Sequence, residues 1–267
     1  MPWGRAAFIC LALFAALLLF GCTGRSDEKA LRKAEALLAA DKGEEARQAF
    51  EGFIRSRPDS PLLPFALFGL ASAEHLQLKD YDSALAIYTR LTLLFPRHQT
   101  APLALERLAD IYLNNLKDYQ AAIGVLERLR DEYGQTTGRA DEYQDQIAWA
   151  YILSEDYDAA RQACQKLVDE HPDSPLAERA YVRLAESYYV QEMTPQALAA
   201  YREALERFPE GQLRGRIIFR LANCLEETGQ TKEARRLYQE LLTSYENPEA
   251  VRIRLKGLEA RLNKEGR

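Results

Sequence analysis

Apolar residues recur along this chain at three- and four-residue steps from about residue 27 onward, and small residues keep time with them. The stretch LKDYDSALAIYTRL at Leu78–Leu91 returns as LKDYQAAIGVLERL at Leu116–Leu129, altered in identity but not in apolar spacing. The alanine three residues past each LKDY tyrosine belongs to a longer series. It runs Ala46, Ala84, Ala122, Ala160, Ala197 and Ala234, at intervals of 38, 38, 38, 37 and 37. Four residues on lie Phe50, Tyr88, Leu126, Cys164, Tyr201 and Tyr238. Twelve residues on lie Pro58, Pro96, Gly134, Pro172, Pro209 and Glu246, and the prolines and the glycine predict that a helix stops there. Upstream, 12 or 13 positions before each alanine, sits a second small residue: Ala34, Ala71, Ala109, Ala148, Ala185 and Ala222. Each period thus predicts two amphipathic helices. Alanines at their crossing let the axes approach closely. Ser60-Pro61 and Ser174-Pro175 read as a helix N-cap followed by proline at the first helical position.

A helix pair of this kind cannot bury its apolar face alone, and stacked neighbours supply the missing contacts. The pattern resembles the tetratricopeptide repeat, with its Leu-Gly, Tyr, Ala-x₃-Phe and Pro positions. The resemblance implies an all-α fold, a superhelix (α-solenoid) of six helix pairs. Their expected spans are 27–60, 61–98, 99–136, 137–173, 174–210 and 211–247. The common repeat has about 34 residues, and here the extra ones fall in joints such as RPDSPLLPF and HPDSPLAERA. Asn247-Pro248-Glu249 is a helix start. Val251, Leu255, Leu258 and Leu262 form one apolar stripe, so 248–267 reads as a helix capping the last repeat.

The first residues follow another pattern. Ala6 to Phe20 is uncharged and almost wholly apolar behind Arg5, too short for the roughly 20 residues of a membrane span. It reads as a signal peptide over 1–21. Leu19-Phe20-Gly21-Cys22 resembles a lipobox, although Phe20 stands where a small residue is usual. That resemblance implies a mature chain beginning at Cys22 with acyl chains attached. Thr23 after the cysteine, where aspartate would signal inner-membrane retention, favours the outer membrane with the fold facing the periplasm. The tether to residue 26 reaches only about 15 Å.

Composition narrows the function. The net charge of -5 argues against nucleic acid as the main partner. The three histidines, His75, His98 and His171, lie far apart and predict no metal site. Cys164 and Cys224 sit in helical patterns and read as small buried apolar residues, not a disulfide framework. Carboxylates fall in helical charge patterns, and neither a phosphate loop nor a nucleophile motif is present. No catalytic residue, cofactor or small-molecule substrate is expected.

What remains is a surface for other proteins. In the resembled fold the first helix of each repeat lines the concave side. The register places Phe65, Phe68, Glu106, Asp110, Trp149, Ile152, Arg179, Tyr189, Arg216 and Asn223 there. Trp149 follows Ala148 where the other repeats carry Glu, Ser, Asp, Glu and Asn, so it is either an interface anchor or packed between repeats. Arg214, Arg216 and Arg220 form a basic cluster suited to an acidic partner or anionic lipid, or simply to solvent.

A lipobox cysteine, almost no linker, repeats to the end and Pro-Asp-Ser joints resemble the BamD family of the outer-membrane β-barrel assembly machine. Those proteins have five repeats, not six. The repeat style also resembles the CpoB family of the Tol–Pal system, without its amino-terminal coiled coil. It resembles type IV pilus pilotins too, whose repeats keep nearer to 34 residues. A recruiter of a peptidoglycan or polysaccharide enzyme is the reading from another class.

Overall fold

The computed structural model describes residues 24–265, and side chains as far as residue 261. The signal peptide, Cys22 and the Leu262 side chain lie outside the described residues. Every regular element among those described is helical: α1 (24–39), α2 (Gly43–Ser56), α3 (Leu63–Ser72), α4 (Tyr81–Leu94), α5 (Thr100–Asp110), α6 (Tyr119–Arg128), α7 (Gly134–Thr137), α8 (Ala140–Leu153), α9 (Tyr157–Glu170), α10 (Ala177–Val190), α11 (Thr194–Arg207), α12 (Arg214–Glu227), α13 (Thr231–Leu241) and α14 (Pro248–Glu265). Wider π-helical turns follow α3 (Ala73–Leu78), α5 (Ile111–Leu116) and α6 (Leu129–Tyr133). The fold is all-α. The described residues divide into two compact units, one up to residue 118 and the other from residue 119.

Local chemistry sets the turns. Among the described residues, Asp41, Lys79, Lys117, Glu155, Glu192 and Gly229 each take a left-handed backbone, with φ between 56° and 76°. They recur at the period of the alanines, one in the turn between the two helices of each pair. After the turn, Asp80 and Asp156 cap the next helix, accepting from Ser83 N and Ala159 N at 3.1 Å. In both LKDY copies the lysine, Lys79 or Lys117, makes the reversal, and in the first copy Asp80 starts the helix.

The stops at Pro58, Pro96, Pro172 and Pro209 come two residues early, at Ser56, Leu94, Glu170 and Arg207. Gly134 departs from expectation. The chain does not stop there but runs on through the π turn into α7, and ends at Gly138 with φ +67°. Gly134 serves close packing instead, since a Cβ on it would lie 2.8 Å from that of Ala140.

The serine-proline joints also differ from the expected caps. α3 begins at Leu63 and α10 at Ala177, so Ser60 and Ser174 stand before the helix. Their hydroxyls accept from Leu62 N and Leu176 N and donate to Asp27 Oδ2 and Asp141 Oδ2, both at 2.6 Å. Glu178 does the same work for the next joint, accepting from Leu213 N at 2.8 Å. An acid near the start of one first helix thus ties down the joint that leads to the next.

In the first unit Phe50, Phe53, Ala34 and Ala46 pack with Ala66 and Leu70 in the core. In the second, Tyr143, Tyr181, Tyr201 and Tyr238 are among the largest fully buried side chains. Cys164 and Cys224 are buried free thiols, and burial pushes their pKa values up to about 12 and about 11. α14 packs on α13, with Asn247 Oδ1 accepting from Ala250 N at 3.1 Å and with Val251 and Leu258 fully buried. No helix among the described residues is long and apolar enough to cross a membrane.

Candidate partner-binding groove

The second unit sets α8, α10 and α12, the first helices of successive pairs, in register. Residues three or four apart share a helix face, so α10 presents Arg179, Val182, Arg183, Glu186 and Val190 together. With Trp149 and Ile152 of α8 and Arg216 and Arg220 of α12 they line a recess of about 520 Å³.

Its electrostatics rest on two carboxylates, each shared by two arginines. Asp145 is buried, 5% exposed. It accepts from Arg179 at 2.7 and 3.3 Å and from Arg183, which also reaches the Asp145 carbonyl at 3.3 Å. A buried carboxylate needs such compensation. Glu186 accepts from Arg216 at 2.8 Å and pairs with Arg220 at 3.4 Å. Arg183 also lies over the indole of Trp149, 5.1 Å from the ring centroid. At the far end Tyr189 donates to Glu227 at 2.6 Å, and that bond, with burial, raises the phenol pKa to about 12.

Family profiles described as tetratricopeptide repeat match residues 31–97, 74–135, 142–174 and 176–247, most of the chain. The chain belongs to the tetratricopeptide-repeat family. No curated protein matches its sequence. Solved structures do resemble it. The C-terminal part of a TPR repeat-containing protein from Cytophaga hutchinsonii is 18% identical over 80% of this chain and 78% of that one, with a TM-score of 0.54. The MamA protein is 17% identical over 70% and 94%, with a TM-score of 0.50. PilW, a type IV pilus biogenesis factor, is 13% identical over 85% and 98%, with a TM-score of 0.48. At these identities the likeness is one of fold. Tetratricopeptide repeats are scaffolds for protein–protein interaction, which is the role the family assignment gives this chain.

Of the residues assigned by the tetratricopeptide register, Trp149, Ile152, Arg179, Tyr189 and Arg216 line the recess. Trp149 is 42% exposed, so it is not packed away between repeats. Asn223 is a correction. It is 5% exposed and accepts the Tyr238 hydroxyl at 2.7 Å, so it is spent inside the fold. Phe65, Phe68, Glu106 and Asp110 belong to the first unit and are half-buried. Phe65 meets His98 edge-on and Phe68 meets Tyr88 likewise, while Asp110 accepts from Asn114 at 2.7 Å. Arg214 pairs with exposed Glu240 at 2.8 Å and does not line the recess.

Sequence reasoning passed over Arg183 and Val190. Both lie one turn from a neighbour on the same α10 face, and that spacing was the available signal. Among the described residues no three His, Cys, Asp or Glu side chains are grouped as metal ligands would be.

Proposed function

We propose that this protein is a lipid-anchored scaffold of the bacterial outer membrane, facing the periplasm. It binds a protein partner in the groove formed by α8, α10 and α12 and serves outer-membrane protein assembly in the manner of the BamD family. The observation that carries the binding role is the groove itself: an exposed tryptophan under a guanidinium, beside apolar and arginine side chains. Half-exposed aromatic and arginine anchors around a recess are the composition of interface hot spots. The anchor rests on Leu19–Cys22, and the pathway on the lipobox, the short tether and the Pro-Asp-Ser joints taken together.

In-cell crosslinking of the native chain, followed by recovery from membranes and mass spectrometry, tests this. Recovery of β-barrel assembly components supports the proposal. Recovery of Tol–Pal, pilus or peptidoglycan-synthesis proteins keeps the scaffold and overturns the pathway. A chain that captures nothing overturns the scaffold reading.

A further inference from the structure

The repeat register places the second-helix tyrosine of a pair against the residue that follows the first-helix alanine. Tyr88 shares a 3.0 Å hydrogen bond with Ser72, and Tyr238 donates to Asn223 at 2.7 Å. Glu186 and Tyr201 stand 37 residues before Asn223 and Tyr238 and are the corresponding pair. Their bond is not made. Tyr201 is fully buried, and its hydroxyl has no hydrogen-bond partner among the described residues. Glu186 is held instead by Arg216 and Arg220, at 2.8 and 3.4 Å. It remains near enough that its charge, after burial, raises the Tyr201 pKa. A buried hydroxyl left unbonded is costly. Glu186 therefore has two rival sets of partners, arginines across the groove and a tyrosine beneath it.

We infer that the groove takes a protein segment bearing a carboxylate beside an apolar side chain, and that this carboxylate takes over Arg216 and Arg220 and returns Glu186 to the Tyr201 hydroxyl. The inference rests on the groove being the partner site proposed above. Charge sets the sign of the ligand: four arginines share two carboxylates here, in a chain whose net charge is -5. A guanidinium has five N–H donors, and Arg216 spends two of them on Glu186. The apolar half of the ligand is set by Trp149, Ile152 and Val190, which share the recess with those arginines. About 520 Å³ holds a few side chains. Arginines set into a recess beside a tryptophan suit an inserted peptide better than a flat lipid surface.

Two tryptophans occur in the chain, so the full chain with Trp3→Phe makes Trp149 the sole reporter. Its fluorescence is followed on titration with a blocked peptide of alternating glutamate and phenylalanine. The same peptide with glutamine, and soluble short-chain phosphatidylglycerol, serve as comparisons. The expected result is saturable binding of the glutamate peptide, weakened about 10-fold by glutamine or by Arg216→Gln with Arg220→Gln. Tyr201→Phe should keep or raise the melting temperature, since it removes a buried hydroxyl that bonds nothing, yet bind several-fold more weakly because the released Glu186 finds no donor. Wild-type binding by Tyr201→Phe overturns the handover.

Equal binding of the glutamine peptide, or no binding of either, overturns the acidic ligand. A response to phosphatidylglycerol in place of peptide overturns it in favour of a headgroup. A signal that follows protein concentration alone overturns it in favour of a second copy. Crosslinked partner capture that survives the double arginine variant sinks this inference and leaves the scaffold standing. Peptide binding as expected without any captured partner sinks the scaffold reading alone.

Discussion

Arg183 lays its guanidinium over the ring of Trp149 while binding the buried carboxylate of Asp145. One arginine thus joins a buried carboxylate to the most exposed aromatic of the groove, and fixes the indole where a partner can reach it. Trp149→Ala removes the aromatic face and leaves the Arg183–Asp145 pair. The loss to stability is expected to be about 1 kcal/mol or less, the size of an exposed cation–π contact. Binding to the partner should fall by at least about 10-fold. Thermal melts read beside an affinity measurement check this, and a large drop in melting temperature with unchanged affinity contradicts it.

The tyrosine pairs separate by their partners. Tyr238 bonds both Asn223 and Glu226, at 2.7 and 2.9 Å. Tyr238→Phe orphans a buried amide oxygen and should cost about 1–3 kcal/mol. Tyr201→Phe removes a buried hydroxyl that bonds nothing and should be neutral or stabilising. Urea unfolding of the two variants compares them directly, and equal losses would count against the pairing described.

Gly229 occupies the left-handed turn between α12 and α13, with φ +76° and open space where a Cβ would stand. Gly229→Ala therefore meets no clash, and only backbone strain opposes it. A loss of about 1 kcal/mol is expected. At Glu155, where φ is also positive, Glu155→Gly should be neutral or slightly stabilising. Chemical denaturation of both variants measures the contrast.

His75 is buried in the first unit, and burial holds its pKa below the ordinary 6.5 despite Asp110 at 3.8 Å. His98 is shifted the same way, also by burial. A histidine whose folded pKa is depressed takes up its proton more readily when unfolded. Its contribution is intact above about pH 6.5 and is lost as pH falls through the folded value. Buried Glu74 is shifted up by desolvation and acts in the opposite sense, losing stability as pH rises through its folded value. Stability of the first unit should fall between pH 7 and pH 5, and His75→Gln should flatten that slope. Urea midpoints across this range test it; an unchanged slope in the variant assigns the effect elsewhere.

Cys22→Ala removes the expected acylation site while leaving the helical circular dichroism of the repeats unchanged. Each acyl CH₂ contributes about 0.8 kcal/mol to membrane binding, so the variant should lose the lipid-dependent anchor. Metabolic labelling with a fatty-acid analogue, followed by fractionation, reads both. Label retained on the variant would overturn Cys22 as the modified residue.

Much was legible in the chain itself. The alanine series placed residues that the fold buries, the prolines placed the stops to within two residues, and the asparagine before Pro248 marked the start of α14. These are local facts: helical period, capping and the exclusion of proline from a helix act within a turn or two of sequence. The lysine and glutamate at the left-handed turns carried no such mark, because only glycine advertises a positive φ in its chemistry.

The binding face was half legible. Trp149 and Arg216 were placed by register alone, and both line the groove. Register gave Asn223 the same standing, and the fold spends it on Tyr238. Gly134 matched the prolines in position and is used for close packing against Ala140 instead. The sequence by itself determined the helices, their period and the faces they present. Only the tertiary structure decided which polar residues on those faces bind one another and which are left for a partner. The physical reason is range: a helix face is set by bonds four residues apart, whereas Asp145 meets Arg183 and Glu186 meets Arg216 across 38 and 30 residues of chain, through packing that no local rule encodes.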